Sequence, residues 1–338
     1  MAVTRIAING FGRIGRSAFK IARERKDIEI VAINDLTDTK TLAYLLKHDS
    51  NYGDYGRQVD CDETSLSVDG QQVKVLAEKD PGLLPWRDLN IDVVIESTGF
   101  FTSKEGASKH LEAGAKRVVI SGPTKSEGVD TIVMGANDNL IKDATPVVSN
   151  ASCTTNSLGA AMAILDAEFG VEKSMLTTIH SYTASQRLQD APAKDLREAR
   201  SAAENIVPTT TGAAIAVTKT LPQLTGKFDG LSVRVPTPVV SLSDVTALLR
   251  RSVTVEEINE AFRKASKDTF YQGILAVTEE PLVSRDFIGN PYSGIVDLPL
   301  TKVVDGNLVK IMVWYDNEWG YSNRLIELVA DVGHYLQK

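Results

Sequence analysis

At 338 residues the chain is longer than one hydrophobic core usually organises, so two domains are expected. Hydrophobic residues at 43% and charged residues at 24% are ordinary for a globular enzyme and exclude the fibrous and disordered classes. With 37 Lys and Arg against 44 Asp and Glu, the net charge of −7 disfavours a dedicated nucleic-acid surface or adhesion to an anionic membrane.

Met1 leads directly into an apolar segment with no basic start and no apolar leader core, and no apolar run is long enough to span a bilayer, so no membrane association is expected. Cys61 and Cys153 are the only cysteines, too few for a disulfide framework, which points to a reducing, cytoplasmic setting.

Residues 3–9 (VTRIAIN) read as a buried strand and 13–25 as a helix with Ile14, Ala18, Ile21 and Ala22 on one face. A second strand at 28–34 precedes an irregular stretch with a small hairpin at Asp69-Gly70. Strands at 91–97 and 117–121 then flank a helix at 103–113 that Gly114 closes, and 129–134 and 146–149 complete the run. Strands alternating with helices need crossovers, so the first 150 residues predict a Rossmann-type, doubly wound parallel sheet.

A helix begins near Cys153, and longer strands follow at 173–180, 228–235, 240–250 and 308–315. These predict a second α+β domain over 151–316 with a mixed or antiparallel sheet. Asp305-Gly306 reads as a two-residue hairpin turn, and Thr254 caps a helix at 255–267. A last helix at 320–337, within the segment 317–338, is expected to pack back onto the first domain.

Gly10, Gly12 and Gly15 form GFGRIG between a strand and a helix, the context a dinucleotide fingerprint requires. The first glycine allows the tight turn, the second lets backbone approach a pyrophosphate, and the third lets helix and strand pack closely. Asp35, 20 residues after Gly15, stands where a carboxylate meets ribose hydroxyls and repels a 2′-phosphate, favouring NAD over NADP.

Cys153 lies in SNASCTTN at a helix start, where free N–H groups and a neighbouring imidazole would lower its pKa from the ordinary value of about 8.5. Its polar company, Ser152, Thr154, Thr155 and Asn156, favours a reactive thiol over an inert core cysteine. His180 ends the strand SMLTTIH before a polar loop and is the candidate base. His48, His110 and His334 lie in more ordinary settings, and no spacing suits a metal site.

At NGFGRIGR, SNASCTTN, HSYT, PTTTGAA and WYDNEWGYS the chain resembles the phosphorylating glyceraldehyde-3-phosphate dehydrogenase family nearly end to end. The resemblance implies NAD-dependent oxidation of glyceraldehyde 3-phosphate to an acyl phosphate, through a thiohemiacetal and a thioester on Cys153 with His180 as base. It implies that Thr183 and Arg234 meet the substrate phosphate. Ser152, Thr211, Gly212 and Arg197 would meet inorganic phosphate, with Thr154 also lining the substrate site.

For the cofactor the resemblance assigns Arg13 and Ile14 to the pyrophosphate turn, Lys79 to the adenine region, Ser121 to the nicotinamide side and Asn317 to the nicotinamide amide. The loop 182–205, with Pro192, would reach a neighbouring subunit of a homotetramer. Ser157 stands where relatives often carry a second cysteine, and Lys79 where many carry Arg. An erythrose-4-phosphate dehydrogenase, which releases the acid by hydrolysis, and a noncatalytic NAD-responsive RNA-binding protein are the alternatives.

Overall fold

Parallel strands covered on both faces need apolar residues at every position, and the segment from Ile6 to Ile8 meets that demand with three fully buried residues in succession. The computed structural model describes Val3 to Leu336; Met1, Ala2, Gln337 and Lys338, including the last position of the helix expected at 320–337, lie outside the described residues. The chain divides into two compact units. The first comprises residues 1–132, 138–151 and 322–338, and the second 133–137 and 152–321.

The strands of the first unit's main sheet are β1 (Thr4–Asn9), β2 (Ile28–Asn34), β3 (Val59–Cys61), β4 (Ser65–Val68), β5 (Gln71–Leu76), β6 (Val93–Glu96), β7 (Arg117–Ile120), β8 (Asp130–Thr131) and β9 (Val147–Ser149). They form one sheet in the order β8-β9-β7-β6-β1-β2-β5-β4-β3. Every pairing from β8 to β5 is parallel, whereas β4 and β3 add antiparallel. The antiparallel tail follows from a tight turn in which Asp69 (φ +50°) and Gly70 (φ +78°) both occupy the left-handed region, as expected of Asp-Gly.

Helix α1 (Arg13–Arg23) buries Gly15, Ala18, Phe19 and Ala22. Ile14 and Ile21 are only half-buried, so the apolar stripe is rotated from the expected one toward the ring of Phe19. Helix α2 (Thr39–Lys47) lies in the stretch read as irregular; Asp38 caps it by accepting from Thr41 N at 2.9 Å. Helix α3 (Lys104–Glu112) starts where expected, with the Ser103 hydroxyl accepting from Gly106 N at 3.1 Å.

The second unit opens with α4 (Cys153–Phe169), followed by β10 (Val171–Ser181), β11 (Val207–Thr210), α5 (Ala213–Thr220), β12 (Phe228–Val235) and β13 (Ser241–Leu249). Next come α6 (Val255–Ser266), β14 (Leu275–Thr278), β15 (Gly294–Asp297), β16 (Lys302–Val304) and β17 (Leu308–Tyr315). Its sheet runs β11-β12-β10-β13-β17-β15-β14, with β16 beside β17. The sheet is mixed: β10–β12 and β14–β15 are parallel, the rest antiparallel.

Alternate residues of β13 are buried from Ser241 to Leu249, the period-two pattern of a sheet with one face covered. Helices α4, α5 and α6 are neighbours in this unit, and α4 also packs on β15 and β17. Thr254 forms a full capping box with Glu257 at the start of α6. The hairpin between β16 and β17 spans Asp305, Gly306 and Asn307, because Val304 pairs with Leu308; it is a three-residue loop and not the expected two-residue turn. Helix α7 (Trp319–Tyr335) ends the described fold, with its residues from Ser322 onward belonging to the first unit.

Candidate active site and nucleotide cradle

Gly10 follows β1 in the left-handed region (φ +92°), where a Cβ would stand 2.7 Å from Thr98 N. A Cβ on Gly15 would lie 2.1 Å from Gly10 O, so no other residue lets α1 start this close to the turn. By contrast nothing lies within 4 Å of a Cβ built on Gly12, leaving an open approach to the backbone there.

Gly12 caps α1 without a side-chain bond and no acid stands in the first turn, so the helix start presents the positive end of its dipole to an anion. Beside it a cavity of about 870 Å³ is walled by Gly10, Gly12, Asp35, Leu36, Lys79 and Phe100, among others. Asp35 also accepts from Phe11 N at 2.7 Å and Thr37 N at 3.0 Å, tying the carboxylate to the glycine turn. Glycine turn, open helix end, carboxylate and apolar walls together fit a dinucleotide.

Of the other residues expected here, Arg13 turns its guanidinium to Asp49 at 2.8 Å, leaving its backbone at the helix start. Ile14 is half-buried in the first turn of α1. Ser121 donates its N–H to Glu96 O at 2.9 Å, away from the cavity wall.

Behind the cradle lies a buried polar cluster that the sequence did not reveal. Trp86 Nε1 donates to His110 Nδ1 at 2.9 Å, and His110 Nε2 lies 3.1 Å from Glu96. Glu96 also receives Asn9 Nδ2 at 2.6 Å and Thr98 N at 2.9 Å. Since Nδ1 accepts from Trp86, the imidazole proton sits on Nε2, facing the carboxylate. His110, read as an ordinary helical histidine, is fully buried.

In the second unit, Ser152 caps α4 by accepting from Thr155 N at 3.1 Å, which places Cys153 as its first residue. His180 is the penultimate residue of β10, an interior strand flanked by β12 and β13. The strand aims the imidazole back at the helix start, and Cys153 Sγ lies 3.4 Å from His180 Nε2. On the other side of the ring, Nδ1 is 2.7 Å from Ser181 O and 2.5 Å from Arg234 Nη1. Arg234 comes from the adjoining strand β12, where it is the register partner of His180.

The electrostatics depart from expectation at the thiol. Burial pushes the Cys153 thiol above its ordinary value, with Arg234 opposing, instead of the helix start lowering it. The polar residues that follow, Thr154, Thr155, Asn156 and Ser157, are all buried, whereas Ser152 and Cys153 at the helix end are half-exposed. Burial and the Arg234 charge push His180 down to about 3, which keeps its ring neutral. A neutral ring can accept a proton, but it supplies no positive charge to a thiolate.

Beneath the pair, the Tyr315 hydroxyl lies 2.9 Å from the Thr154 hydroxyl and 2.8 Å from that of Thr178. The Thr154 side chain is thus turned inward beneath the pair. Tyr315, from β17, was not singled out in the sequence; its position two residues before Asn317 in WYDNEWG was the available signal. Asn317 Oδ1 accepts from Ser181 at 2.9 Å and Ser241 at 3.1 Å, so its side chain is anchored beside the histidine strand.

Residues 4–104 match the family model described as the glyceraldehyde 3-phosphate dehydrogenase NAD binding domain, and residues 152–317 match its C-terminal domain. The chain belongs to the glyceraldehyde-3-phosphate dehydrogenase family. It is 53% identical over 331 residues to the glyceraldehyde-3-phosphate dehydrogenase of Geobacillus stearothermophilus, covering 98% of each chain. It is 52% identical over 334 residues to that of Streptomyces coelicolor, covering 98% of this chain and 99% of the relative. It is likewise 52% identical over 330 residues to that of Borreliella burgdorferi, with 96% and 98% covered.

The other residues that the family pattern singles out are less tightly gathered than the thiol–imidazole pair. Thr183 follows β10 and its hydroxyl is 3.0 Å from that of Ser185. Thr211 accepts from Ala213 N at 3.1 Å, and Gly212 caps α5. Arg197 is exposed; its backbone N–H is held by Asp195 at 2.8 Å and its carbonyl accepts from Arg200 N at 3.2 Å. Ser157 donates to Thr154 O at 2.9 Å, an ordinary helical role for the residue that replaces a second cysteine. No group of His, Cys, Asp and Glu suited to a metal occurs among the described residues, and no helix there is long and apolar enough to cross a membrane.

Proposed function

We propose that the chain oxidises D-glyceraldehyde 3-phosphate with NAD and inorganic phosphate, yielding 1,3-bisphosphoglycerate through a covalent Cys153 intermediate. The observation that carries this reading is the 3.4 Å approach of Cys153 Sγ to His180 Nε2, in a chain of this family.

The chemistry divides among the chain's own residues. The Cys153 sulfur attacks the aldehyde carbon, and its proton passes to His180, which burial has kept in the basic form. The ring returns that proton to the aldehyde oxygen, which completes a thiohemiacetal, and, neutral again, takes the hydroxyl proton when the carbon is oxidised. Bound NAD supplies a hydride acceptor in this reading. The thioester left on sulfur is attacked by phosphate, which conserves the oxidation energy in an acyl phosphate and frees the thiol.

Gly10, Gly12, Arg13, Ile14 and Gly15 would hold the pyrophosphate, with Asp35 on the ribose and Lys79 at the adenine. Ser121 and Asn317 would serve the nicotinamide side. Arg234 and Thr183 would take the substrate phosphate, and Ser152, Thr211, Gly212 and Arg197 the inorganic one. Residues 1–150 with the terminal segment 317–338 would form the dinucleotide domain and 151–316 the catalytic one.

A homotetramer in the cytoplasm completes the proposal. It is supported by exposed Met175 and Ile215 beside a cavity of about 730 Å³ on the second unit, and by two cysteines without a disulfide. Light scattering of the purified protein reads the mass directly.

Initial rates with each nicotinamide cofactor, with and without phosphate, test the activity. NAD reduction by glyceraldehyde 3-phosphate should require phosphate or arsenate; full turnover without either contradicts the reading. Erythrose 4-phosphate as the strongly preferred aldehyde would point to the hydrolytic alternative instead.

A further inference from the structure

We propose that a ladder of three buried side chains, Glu96, Asn9 and Asn34, positions the adenosine half of the dinucleotide, with Glu96 setting the direction in which each amide of the ladder points. The proposal rests on the NAD-dependent function given above and gives the residues beneath its cofactor site a positioning role.

The three residues end adjacent parallel strands. Asn9, the last residue of β1, is the register partner of Glu96 at the end of β6 on one side and of Asn34 at the end of β2 on the other. The carboxyl ends of parallel strands are where an open sheet receives its ligand. Asn9 and Asn34 line the cavity of about 870 Å³, as do Thr98 and Glu78 at the two ends of the ladder. Each ladder member is at most 4% exposed, so its hydrogen bonds must be met from within.

The bonds run in one direction. Glu96, whose carboxylate only accepts, receives Asn9 Nδ2 at 2.6 Å, and Asn9 Oδ1 receives Asn34 Nδ2 at 2.7 Å. Asn34 Oδ1 in turn receives Glu78 N at 2.9 Å, while Asn34 Nδ2 also donates to Glu78 O at 2.8 Å. Both ends demand this one polarity. At the far end Glu78 N can only donate. At the near end Thr98 N, at 2.9 Å, and His110 Nε2, at 3.1 Å, both donate to Glu96, and the Trp86 indole fixes the ring proton on that nitrogen. The ladder thereby ties the Thr98 wall of the cavity to the Glu78 wall, and Asp35 and Lys79, the next residues after Asn34 and Glu78, are placed by it.

Reversing one link sends a conflict along the whole chain. In Glu96→Gln the new amide keeps its oxygen on Thr98 only by turning its NH2 toward Asn9 Nδ2, where two donors meet. Flipping Asn9 moves the conflict to Asn34, and flipping Asn34 moves it to Glu78. Glu78 is only half-buried and Lys79 is exposed, so the chain yields there, at the wall assigned to the adenosine. Adding Asn9→Asp restores one direction: its carboxylate accepts from the glutamine amide, from Asn34 Nδ2, and from His110 Nε2, which lies 3.4 Å from the Asn9 amide nitrogen.

The test measures binding of NAD, and of ADP-ribose, which lacks the nicotinamide, to the full-length protein by calorimetry, where circular dichroism shows every variant folded. Glu96→Gln should weaken both ligands by the same factor, about tenfold or more, the scale of a hydrogen bond to a charged group. The KM for NAD should rise with it, with kcat at saturating NAD little changed. Asn9→Asp in the Glu96→Gln background should recover most of the affinity, which a merely structural defect does not allow. Trp86→Phe, which disturbs the same cluster but leaves Glu96 an acceptor, should bind both ligands as the wild type does. Wild-type affinity for ADP-ribose in Glu96→Gln, no recovery in the double variant, or equal weakening in Trp86→Phe overturns the proposal. Normal NAD binding without oxidation of glyceraldehyde 3-phosphate would contradict the enzymatic reading alone, because the ladder is tested by binding without turnover.

Discussion

The sulfur of Cys153 and Nε2 of His180 stand 3.4 Å apart although 27 positions separate them in the chain, because α4 and β10 are consecutive elements that meet at the start of the helix and the end of the strand. The helix end supplies the nucleophile and the strand end its base, each fixed by regular backbone. Removing the base while leaving the thiol should therefore cost turnover without loss of fold. His180→Asn is expected to lower kcat by roughly 10²–10⁴-fold, the usual contribution of a positioned acid–base group. Circular dichroism should show the secondary structure unchanged; near-normal kcat would remove His180 from the chemistry.

The thiol's burial has a consequence for its reactivity. Because enclosure raises its pKa, Cys153 in the ligand-free protein should react slowly with iodoacetamide at neutral pH, and the rate should climb as pH rises past the ordinary cysteine range. Alkylation followed from pH 6 to 10 checks this. A plateau already reached near neutrality would mean a thiolate stabilised at rest.

His180 also links stability to pH. Its folded value of about 3 lies below the ordinary histidine value of 6.5, so the unfolded chain binds the proton more readily. The group's contribution is therefore fully present above about pH 6.5 and is lost as pH falls toward 3, with a slope of at most about 1.4 kcal/mol per pH unit. Urea midpoints at several pH values, compared between wild type and His180→Asn, isolate the effect; parallel curves would refute it.

Asp35 is expected to govern cofactor choice. Asp35→Asn removes the charge facing the cradle while keeping an acceptor for Phe11 N, which it holds at 2.7 Å. The KM for NAD should rise by about tenfold or more, since hydrogen bonds to charged groups are worth about 1.5–3 kcal/mol, and discrimination against NADP should narrow. Steady-state kinetics with both cofactors measure the two effects, and an unchanged ratio would contradict the assignment.

Trp86 should matter for stability and not for catalysis. Trp86→Phe leaves His110 Nδ1 buried without its 2.9 Å donor, a defect of about 1–3 kcal/mol before any loss from packing. Chemical denaturation should show that loss with kcat nearly unchanged. A large fall in kcat at full stability would instead give the Trp86–His110–Glu96 cluster a direct catalytic role.

Much of this architecture was legible because local chemistry and tertiary need agree. Gly10, Gly12 and Gly15 follow a strand and open a helix, and Thr254 announces α6 as its N-cap. The expectation failed where short apolar patterns are diluted by polar residues. Helix α2 buries only Leu42, Ala43 and Leu46, and its best signal was the Asp38 cap. Strands β11, β14 and β15 have four residues each, too few for a period to show.

At the site, Cys153 and His180 stood out by residue type and position. The residues that tune them did not. Polar neighbours in SCTTN suggested a reactive thiol, but the hydroxyls around it are spent internally, Thr154 on Tyr315 and Ser152 on Thr155. Arg234 reaches the far side of His180 only because β12 pairs with β10 in register, a relation set by the sheet and invisible along the chain. The Glu96–His110–Trp86 cluster is likewise assembled from a strand, a helix and a turn.

The most direct test follows the fate of the sulfur. Protein mixed with NAD and glyceraldehyde 3-phosphate in phosphate-free buffer, quenched in acid and digested, should carry the acyl mass on the peptide containing Cys153. Adding phosphate before the quench should discharge it. Sustained NADH formation without phosphate, with Cys153 never acylated, would contradict the account.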